Sequence, residues 1–535
     1  MKRSGEGGSM AEAQESPDFL TALASATPRK GAIIDDRPDG SVREISFAGL
    51  EARSNRIARA LLAAGVRPHD RVAWCGPNSI DALVIIHAAR KICVTPVAVN
   101  YRLTDEEAAF VLMDSDSVIA WIDAEYAQRF SAIAAGAPSL REIVVFDGPA
   151  APGQRTAERF LAGRDESPPD LDTRGEKPVT MHYTSGTTGR PKGAVRGATG
   201  GRDQGEELPN MLDLIGYGPG DVYITTGPLY HSGPGEMATL STMFGNTIIV
   251  QRRFDAEDWL RLVERYAVTI VYSAPTPIRR VVALPAEVKA RYDRSSVKIG
   301  LAAAAPWTHA LKLAYLDDFP EDSLWEIYGS TELGANTLLR PEDQRRKPGS
   351  CGQPIPGIEI ALFAEDGHRI SEPNTPGELF VRSPLLFDAY HKNESEFAQS
   401  ERDGFHSVGD VAYVDDEGFY YICDRKSDMI ISGGVNIYAL EVESALEFHE
   451  GVAEAAVIGI PSDEWGEAVH AIIVPRPAWS ADAEELEVFV RERLAGFKVP
   501  RSIEFRERLP HNGAGKILKR ELRESFWEGR ARRLV

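Results

Sequence analysis

Eleven consecutive residues, Tyr183-Thr184-Ser185-Gly186-Thr187-Thr188-Gly189-Arg190-Pro191-Lys192-Gly193, concentrate four aliphatic hydroxyls, three glycines and a lysine. Glycines let a backbone fold back until its N–H groups converge on an anion. The hydroxyls add donors, and Lys192 adds a mobile point charge suited to phosphate. The stretch follows a β-prone run, Val179 to Tyr183. A strand running into such a loop is a common phosphate cradle. It is not the G-x-x-x-x-G-K-[ST] loop, because Lys192 stands between Pro191 and Gly193.

Five other stretches carry chemistry-bearing side chains. In Pro228-Leu229-Tyr230-His231-Ser232-Gly233, an aromatic and a histidine stand beside small residues, a composition that can line a pocket mouth, although a lone histidine is more often structural. Tyr328-Gly329-Ser330-Thr331-Glu332 offers a ring that can stack on a base, a glycine for close approach and a carboxylate able to hold Mg²⁺ against phosphates. Ser407-Val408-Gly409-Asp410 sets a carboxylate beside a turn, where it can accept two ribose hydroxyls. Asp424-Arg425-Lys426-Ser427-Asp428 leads to Gly433-Gly434, and Arg425 can clamp a phosphate or ribose. Gly515-Lys516 places a lysine in a small-residue loop, able to neutralise a carboxylate and an α-phosphate together. Taken singly, most of these stretches read as turns or solvated charges.

The elements that position them follow an α/β rhythm. Glu44 to Phe47, Arg71 to Trp74, Val94 to Val97, Val118 to Ile122 and Ile143 to Phe146 read as strands, and Ile80 to Lys91 as a helix. Thr104 and Glu107 have capping-box spacing ahead of another helix. This order predicts a largely parallel sheet. Residues 147–177, rich in Pro, Gly and Ala, read as a connector. The rhythm resumes at 178 with strands at Val222 to Thr226 and Thr269 to Tyr272 around a helix at Trp259 to Tyr266. From 345 to 423 the chain is glycine-punctuated and β-rich, which predicts a small antiparallel or barrel-like piece. A fresh α/β segment follows Asp424.

The chain has 535 residues, of which 43% are hydrophobic and 26% charged, enough for at least two domains. A net charge of −20 argues against nucleic acid as the main partner. Charge is uneven, with 13 Lys and Arg against 6 Glu from Arg491 to Val535. Cys75, Cys93, Cys351 and Cys423 form no C-x-x-C pair, which fits a reducing, cytoplasmic compartment. No apolar run reaches the roughly 18 residues that span a bilayer. Residues 1–16 read as a disordered or vector-derived lead-in. Nothing in the sequence selects a monomer over a homodimer.

In this order, the six stretches resemble the AMP-forming acyl-CoA synthetase family of adenylate-forming enzymes. The resemblance runs from about residue 40 to 525 and takes in Gly349-Ser350-Cys351-Gly352, Gly377-Glu378-Leu379, Pro461 to Glu467 and Phe497 to Arg501. It implies a large N-terminal domain, 17–424, of two α/β sheets and a small β-barrel. A mobile α+β lid, 425–535, would be hinged at about 425–428. It also implies the reaction: a carboxylate attacks the α-phosphate of ATP, pyrophosphate leaves, and the thiol of coenzyme A then displaces AMP.

Carried onto this chain, the resemblance assigns Thr184, Ser185, Gly186, Thr187, Thr188, Gly189 and Lys192 to the β- and γ-phosphates. Lys516 would bridge carboxylate and α-phosphate, Thr331 would contact the α-phosphate, and Glu332 would bind Mg²⁺. Tyr328, beside Gly329 and Ser330, would stack on adenine, with Ala303, Ala304 and Ala305 on its other side. Asp410 would take the ribose hydroxyls, and Arg425 the ribose or phosphate. His231 would flank and gate the acyl site, and Gly433 and Gly434 would face the pantetheine channel. The chain departs from the family pattern at Ser427, usually Asp or Lys. It departs again at Ala302 to Pro306, a run that usually contains Gly, so that an added methyl at Ala303 would crowd the adenine or reshape the acyl pocket. His511-Asn512-Gly513-Ala514 also differs from the usual lead-in to the lysine. A medium- or long-chain fatty acid is the first expected substrate. An aryl or alicyclic acid is the second, and transfer to a carrier protein is the alternative fate of the acyl group.

Overall fold

The computed structural model describes residues 18–171, 179–185, 191–197, 207–477, 479–512 and 515–528. Among these residues the chain forms a large N-terminal domain of three sheets and a smaller C-terminal domain built on a fourth.

The first sheet has nine strands. Its centre is parallel, with Leu324–Ser330, Ile299–Ala302, Ile270–Ser273 and Val222–Ile224 side by side. The second has eight strands, in which Thr95–Ala98, Arg71–Cys75, Ile119–Asp123 and Glu142–Phe146 are likewise parallel. Ile119–Asp123 and Ile299–Ala302 are buried at every position, which is why these runs are apolar without alternation. Val42–Ser46, at the start of the same sequence rhythm, pairs with Gly31–Asp36 at the edge of the first sheet.

The helices Phe47–Ala63 and Ile80–Lys91 pack into one core shared by both sheets. Ile80–Lys91 is apolar almost all round, and Ala82, Leu83, Val84, Ile85, Ala88 and Ala89 are all fully buried. Ser79 caps its N-terminus by accepting from the Ala82 amide, while Arg90 and Lys91 complement the dipole at its end. The capping box of Thr104 and Glu107 forms as expected.

The connector expected at 147–177 is partly structured. Arg155–Thr156 adds a strand to the second sheet, and Ala157–Leu161 is a short helix that buries Phe160 against Trp121. One buried aromatic anchors a segment whose Pro and Gly content reads as irregular.

The β-rich stretch is a seven-stranded sheet from Glu359–Phe363 to Tyr420–Arg425, antiparallel throughout. The C-terminal sheet has five strands, centred on Val452–Ser462 and Gly466–Pro475, with the helices Ala439–Glu447, Ala483–Arg491 and Lys519–Trp527 around it. No helix among the described residues is long and apolar enough to cross a membrane.

Candidate active site

In an open parallel sheet, ligands sit in the crevice beyond the carboxyl ends of the strands. Four chemistry-bearing stretches begin there: Pro228 to His231 after Val222–Ile224, Thr276 after Ile270–Ser273, Ala303 to Ala305 after Ile299–Ala302, and Tyr328 to Glu332 at the end of Leu324–Ser330. They open onto one cavity of about 2080 Å³, whose other wall is supplied by the C-terminal domain, including Gly515 and Lys516.

The hydroxyl- and glycine-rich stretch is a β-hairpin. Thr180–Ser185 pairs antiparallel with Pro191–Arg196, setting Thr184 opposite Lys192, so this loop returns to the sheet instead of entering a helix. Gly186, Thr187, Thr188 and Gly189 lie outside the described residues, and Ser185 is described by its backbone alone. The Lys192 ammonium lies 5.6 Å from the centre of the Tyr390 ring. Tyr183 donates its hydroxyl to Asp114 Oδ2 at 2.7 Å.

Tyr328 to Glu332 also forms a hairpin, Leu324–Ser330 pairing with Gly334–Leu339. A Cβ at Gly329 would collide with the Gly334 carbonyl, so the close approach of the two strands requires glycine. The Tyr328 hydroxyl donates to Asp410 Oδ2 at 2.7 Å, and Arg425 Nε donates to Asp410 Oδ1 at 3.2 Å. Burial, and then the Asp410 carboxylate, hold the Tyr328 phenol well above its ordinary pKa.

Thr331 Oγ1 is 3.0 Å from Ser232 Oγ, and the Thr331 carbonyl accepts from Arg196 Nη2 at 2.7 Å. Glu332 Oε1 accepts from the Tyr390 hydroxyl at 2.9 Å and Thr184 Oγ1 at 3.5 Å. Its Oε2 accepts no hydrogen bond among the described residues. No group of three or more metal-ligating side chains occurs among those residues. One available carboxylate oxygen beside a phosphate-type loop fits Mg²⁺, which binds through one or two carboxylates plus phosphate oxygens. Arg196 and Tyr390 were not singled out from sequence. Arg196 lies on the same strand as Lys192, and Tyr390 reaches the site only because Ala389–Tyr390 pairs with that strand.

Ala303 closes off the first sheet by donating its amide to the Ser273 carbonyl at 3.1 Å. Ala304 adopts φ +69°, a left-handed conformation that favours glycine. The methyl therefore costs backbone energy at Ala304. The His231 ring packs on Tyr230, with centroids 4.5 Å apart, at the entrance of the helix Ser232–Met243. Beyond it, Met211, Leu212 and Ile215 face Met237, Leu240 and Met243 across an apolar chamber of the same cavity.

The C-terminal domain presents Lys516 on a tight turn. The Lys516 amide donates to Asn512 Oδ1 at 2.9 Å, the Asn512 amide to the Lys516 carbonyl at 2.8 Å, and Thr276 Oγ1 to the Gly515 carbonyl at 2.8 Å. The altered lead-in thus uses Asn512 to build the turn, while Gly513 and Ala514 lie outside the described residues. Burial, followed by repulsion from Arg425, lowers the Lys516 pKa to about 8, with Asp410 and Asp428 acting in the opposite sense. Arg279 holds the domains together, donating to both Glu447 carboxylate oxygens at 2.9 and 3.2 Å and to the Ala453 carbonyl at 2.9 Å. Gly433 and Gly434 do not line the cavity. They turn an exposed hairpin, Ile430–Ser432 with Val435–Ile437, whose first glycine sits against Trp465. In this arrangement the domain turns its lysine loop inward and its glycine loop outward.

Ser427 stands between two anchors of opposite allegiance. Lys426 Nζ pairs with Glu378 of the large domain at 3.0 Å, and Asp428 pairs with Arg523 of the C-terminal domain at 2.8 Å.

The AMP-binding enzyme profile matches residues 20–391, and the AMP-binding enzyme C-terminal domain matches 441–516. The chain belongs to the AMP-binding enzyme family of adenylate-forming acyl-CoA ligases. Feruloyl-CoA synthase of an Amycolatopsis species is 36% identical over 484 residues, covering 90% of this chain and 94% of that protein. The long-chain-fatty-acid–CoA ligase FadD13 of Mycobacterium tuberculosis (strain CDC 1551 / Oshkosh) is 32% identical over 510 residues, covering 95% and 98%. Among solved structures, o-succinylbenzoate CoA synthetase (MenE) from Bacillus subtilis, in complex with the acyl-adenylate intermediate OSB-AMP, superposes with a TM-score of 0.79. It is 29% identical and covers 95% of this chain and 98% of its own.

Proposed function

We propose that this cavity activates a bulky hydrophobic carboxylic acid, joining it to AMP from ATP and then passing the acyl group to coenzyme A. A medium- or long-chain fatty acid and an aryl acid are the two classes that suit the apolar chamber beyond His231. The observation that carries the reading is the arrival of Lys516, from a separate domain, beside Asp410 and Arg425 at the carboxyl ends of the parallel strands.

In the first half-reaction, an anion approaches an α-phosphate that is itself anionic. Preorganised donors and cations must meet the charge that develops. Lys516 supplies a cation shared by carboxylate and phosphate, and Thr331, positioned by Ser232 and Arg196, supplies a hydroxyl. Asp410 receives the ribose, while Tyr328 and the Ala303 to Ala305 turn enclose the adenine. Thr184 to Gly189 and Lys192 hold the departing pyrophosphate, and Glu332 would hold a Mg²⁺ that would supply neutralising charge to it. In the second half-reaction, the domain 425–535 pivots at 425–428 around Ser427, withdraws Lys516 and brings Gly433 and Gly434 to the thiol channel. Its four cysteines, none in a disulfide, fit a reducing cytoplasm.

The test is a panel of acids scored for pyrophosphate release and thioester formation, with and without coenzyme A. Acid-dependent pyrophosphate release with thioester as product is the expected result. Release that never yields a thioester would move the second half-reaction to a carrier protein.

A further inference from the structure

Beside the apolar side chains of the chamber beyond His231, Glu236, His182 and Tyr272 form a polar group that also lines the cavity. Glu236 lies on the helix Ser232–Met243, lines the cavity and is exposed to it. Its negative charge acts on both His182 and Tyr272. His182 stands on the strand Thr180–Ser185, between Met181 and Tyr183, which pack in a hydrophobic core, and its Nδ1 is buried without a hydrogen-bond partner. Tyr272, from Ile270–Ser273, lies so close to Gly233 that any Cβ there would strike its hydroxyl. Among the described residues, no hydrogen bond or ion pair is made by the Glu236 carboxylate or the Tyr272 hydroxyl. The buried His182 nitrogen, unpaired beside a carboxylate and a phenol, is costly unless a ligand completes it.

We propose that the acid accepted by this chamber carries a hydrogen-bond donor, a hydroxyl or an ammonium, which Glu236 receives between His182 and Tyr272. The inference rests on reading the cavity as an acid-activating site and deepens it by naming the substrate class. The helix sets the distance. Ser232 touches Thr331 at the phosphate end, and Glu236 follows four residues later, roughly 6 Å along the axis. That separation suits a donor opposite the carboxylate of a six-membered ring, or near the middle of a chain. Leu240 and Met243, one and two turns further on, leave the rest of the substrate an apolar wall.

The discriminating experiment measures kcat/KM for acid-dependent pyrophosphate release with matched acids: 4-hydroxybenzoate, 4-(aminomethyl)benzoate and 4-methylbenzoate, and the corresponding cinnamates. The expected result is a preference for a donor-bearing acid over its methyl counterpart of roughly 10–100-fold. The ratio should collapse toward one in Glu236→Leu. In Glu236→Gln it should largely survive for the hydroxyl and fall for the ammonium, and whichever donor is preferred identifies the group. Tyr272→Phe, which keeps the ring, should narrow the ratio by a few-fold. A wild-type preference for the methyl acid, or a ratio unmoved in Glu236→Leu, would overturn the proposal. Thioester yield is scored in the same reactions. Selective pyrophosphate release without thioester would count against the CoA-ligase reading and leave the donor preference standing.

Discussion

The two walls of the cavity are built on different principles. On the large-domain wall the side chains fix one another: Tyr328 and Arg425 grip Asp410, Tyr390 and Thr184 grip Glu332, and Ser232 and Arg196 hold Thr331. On the C-terminal wall, Lys516 is placed by its backbone turn and by the docking of a whole domain through Thr276 and Arg279. Its ammonium forms no ion pair with any described residue. On the proposed reading, the fixed wall is a nucleotide platform and the lysine a removable cation, as two successive reactions on one intermediate require. Contacts that act only in the first transition state belong on the wall that can leave.

The sharpest break of this contrast is Lys516→Ala. Adenylation should fall by roughly 10³-fold, on the scale of a lost transition-state electrostatic contact, while thioester formation from supplied acyl-AMP stays close to wild type. Single-turnover assays of the two halves check this, and equal loss in both would erase the distinction between the walls. Arg279→Ala weakens docking without touching the lysine. Adenylation should slow by about tenfold, with thioester formation unaffected or faster, as expected when a bound-state population is shifted by roughly 1.4 kcal/mol.

A pH profile sharpens the contrast further. With its pKa lowered to about 8, Lys516 keeps its proton at neutral pH and loses it as pH rises, so the cation disappears on the alkaline side. The kcat/KM for adenylation should therefore fall above pH ~8, because that parameter reports groups of the free enzyme. Lys516→Arg, slower overall, should lack this limb, since guanidinium stays charged. The smallest effect belongs to the fixed wall. Ala304→Gly removes a left-handed alanine and should raise stability by roughly 1 kcal/mol in denaturant titration.

Legibility in the sequence followed the reach of the forces involved. Ile80–Lys91 could be read to both ends because its cap, its apolar run and its basic end are all local. The parallel strands were legible as apolar runs, but their division between two sheets was legible only through the family resemblance. Val42–Ser46 pairs with Gly31–Asp36 by a long-range register that no local pattern encodes. The site motifs could be read because their residue types are unusual in combination. Tyr390, Arg196 and Asn512 escaped because their roles depend on neighbours distant in sequence or on backbone groups that any sequence has. Arg279 pairs the two domains, a role visible only once Glu447 is beside it. Gly433 and Gly434 could be recognised as a motif, yet their exposed position reflects which face the domain now presents.

The most direct test of the removable wall is a reversible lock. An ideal Cβ at Gly515 would lie 3.0 Å from Thr276 Cβ, close enough for Thr276→Cys with Gly515→Cys to be joined by a disulfide once the backbone at Gly515, at φ +83°, relaxes to accept a side chain. The oxidised double variant should form one equivalent of acyl-AMP and pyrophosphate but no thioester, and adding a reductant should release thioester formation. Undiminished thioester formation in the oxidised form would contradict the claim that Lys516 and its domain must leave before coenzyme A can act.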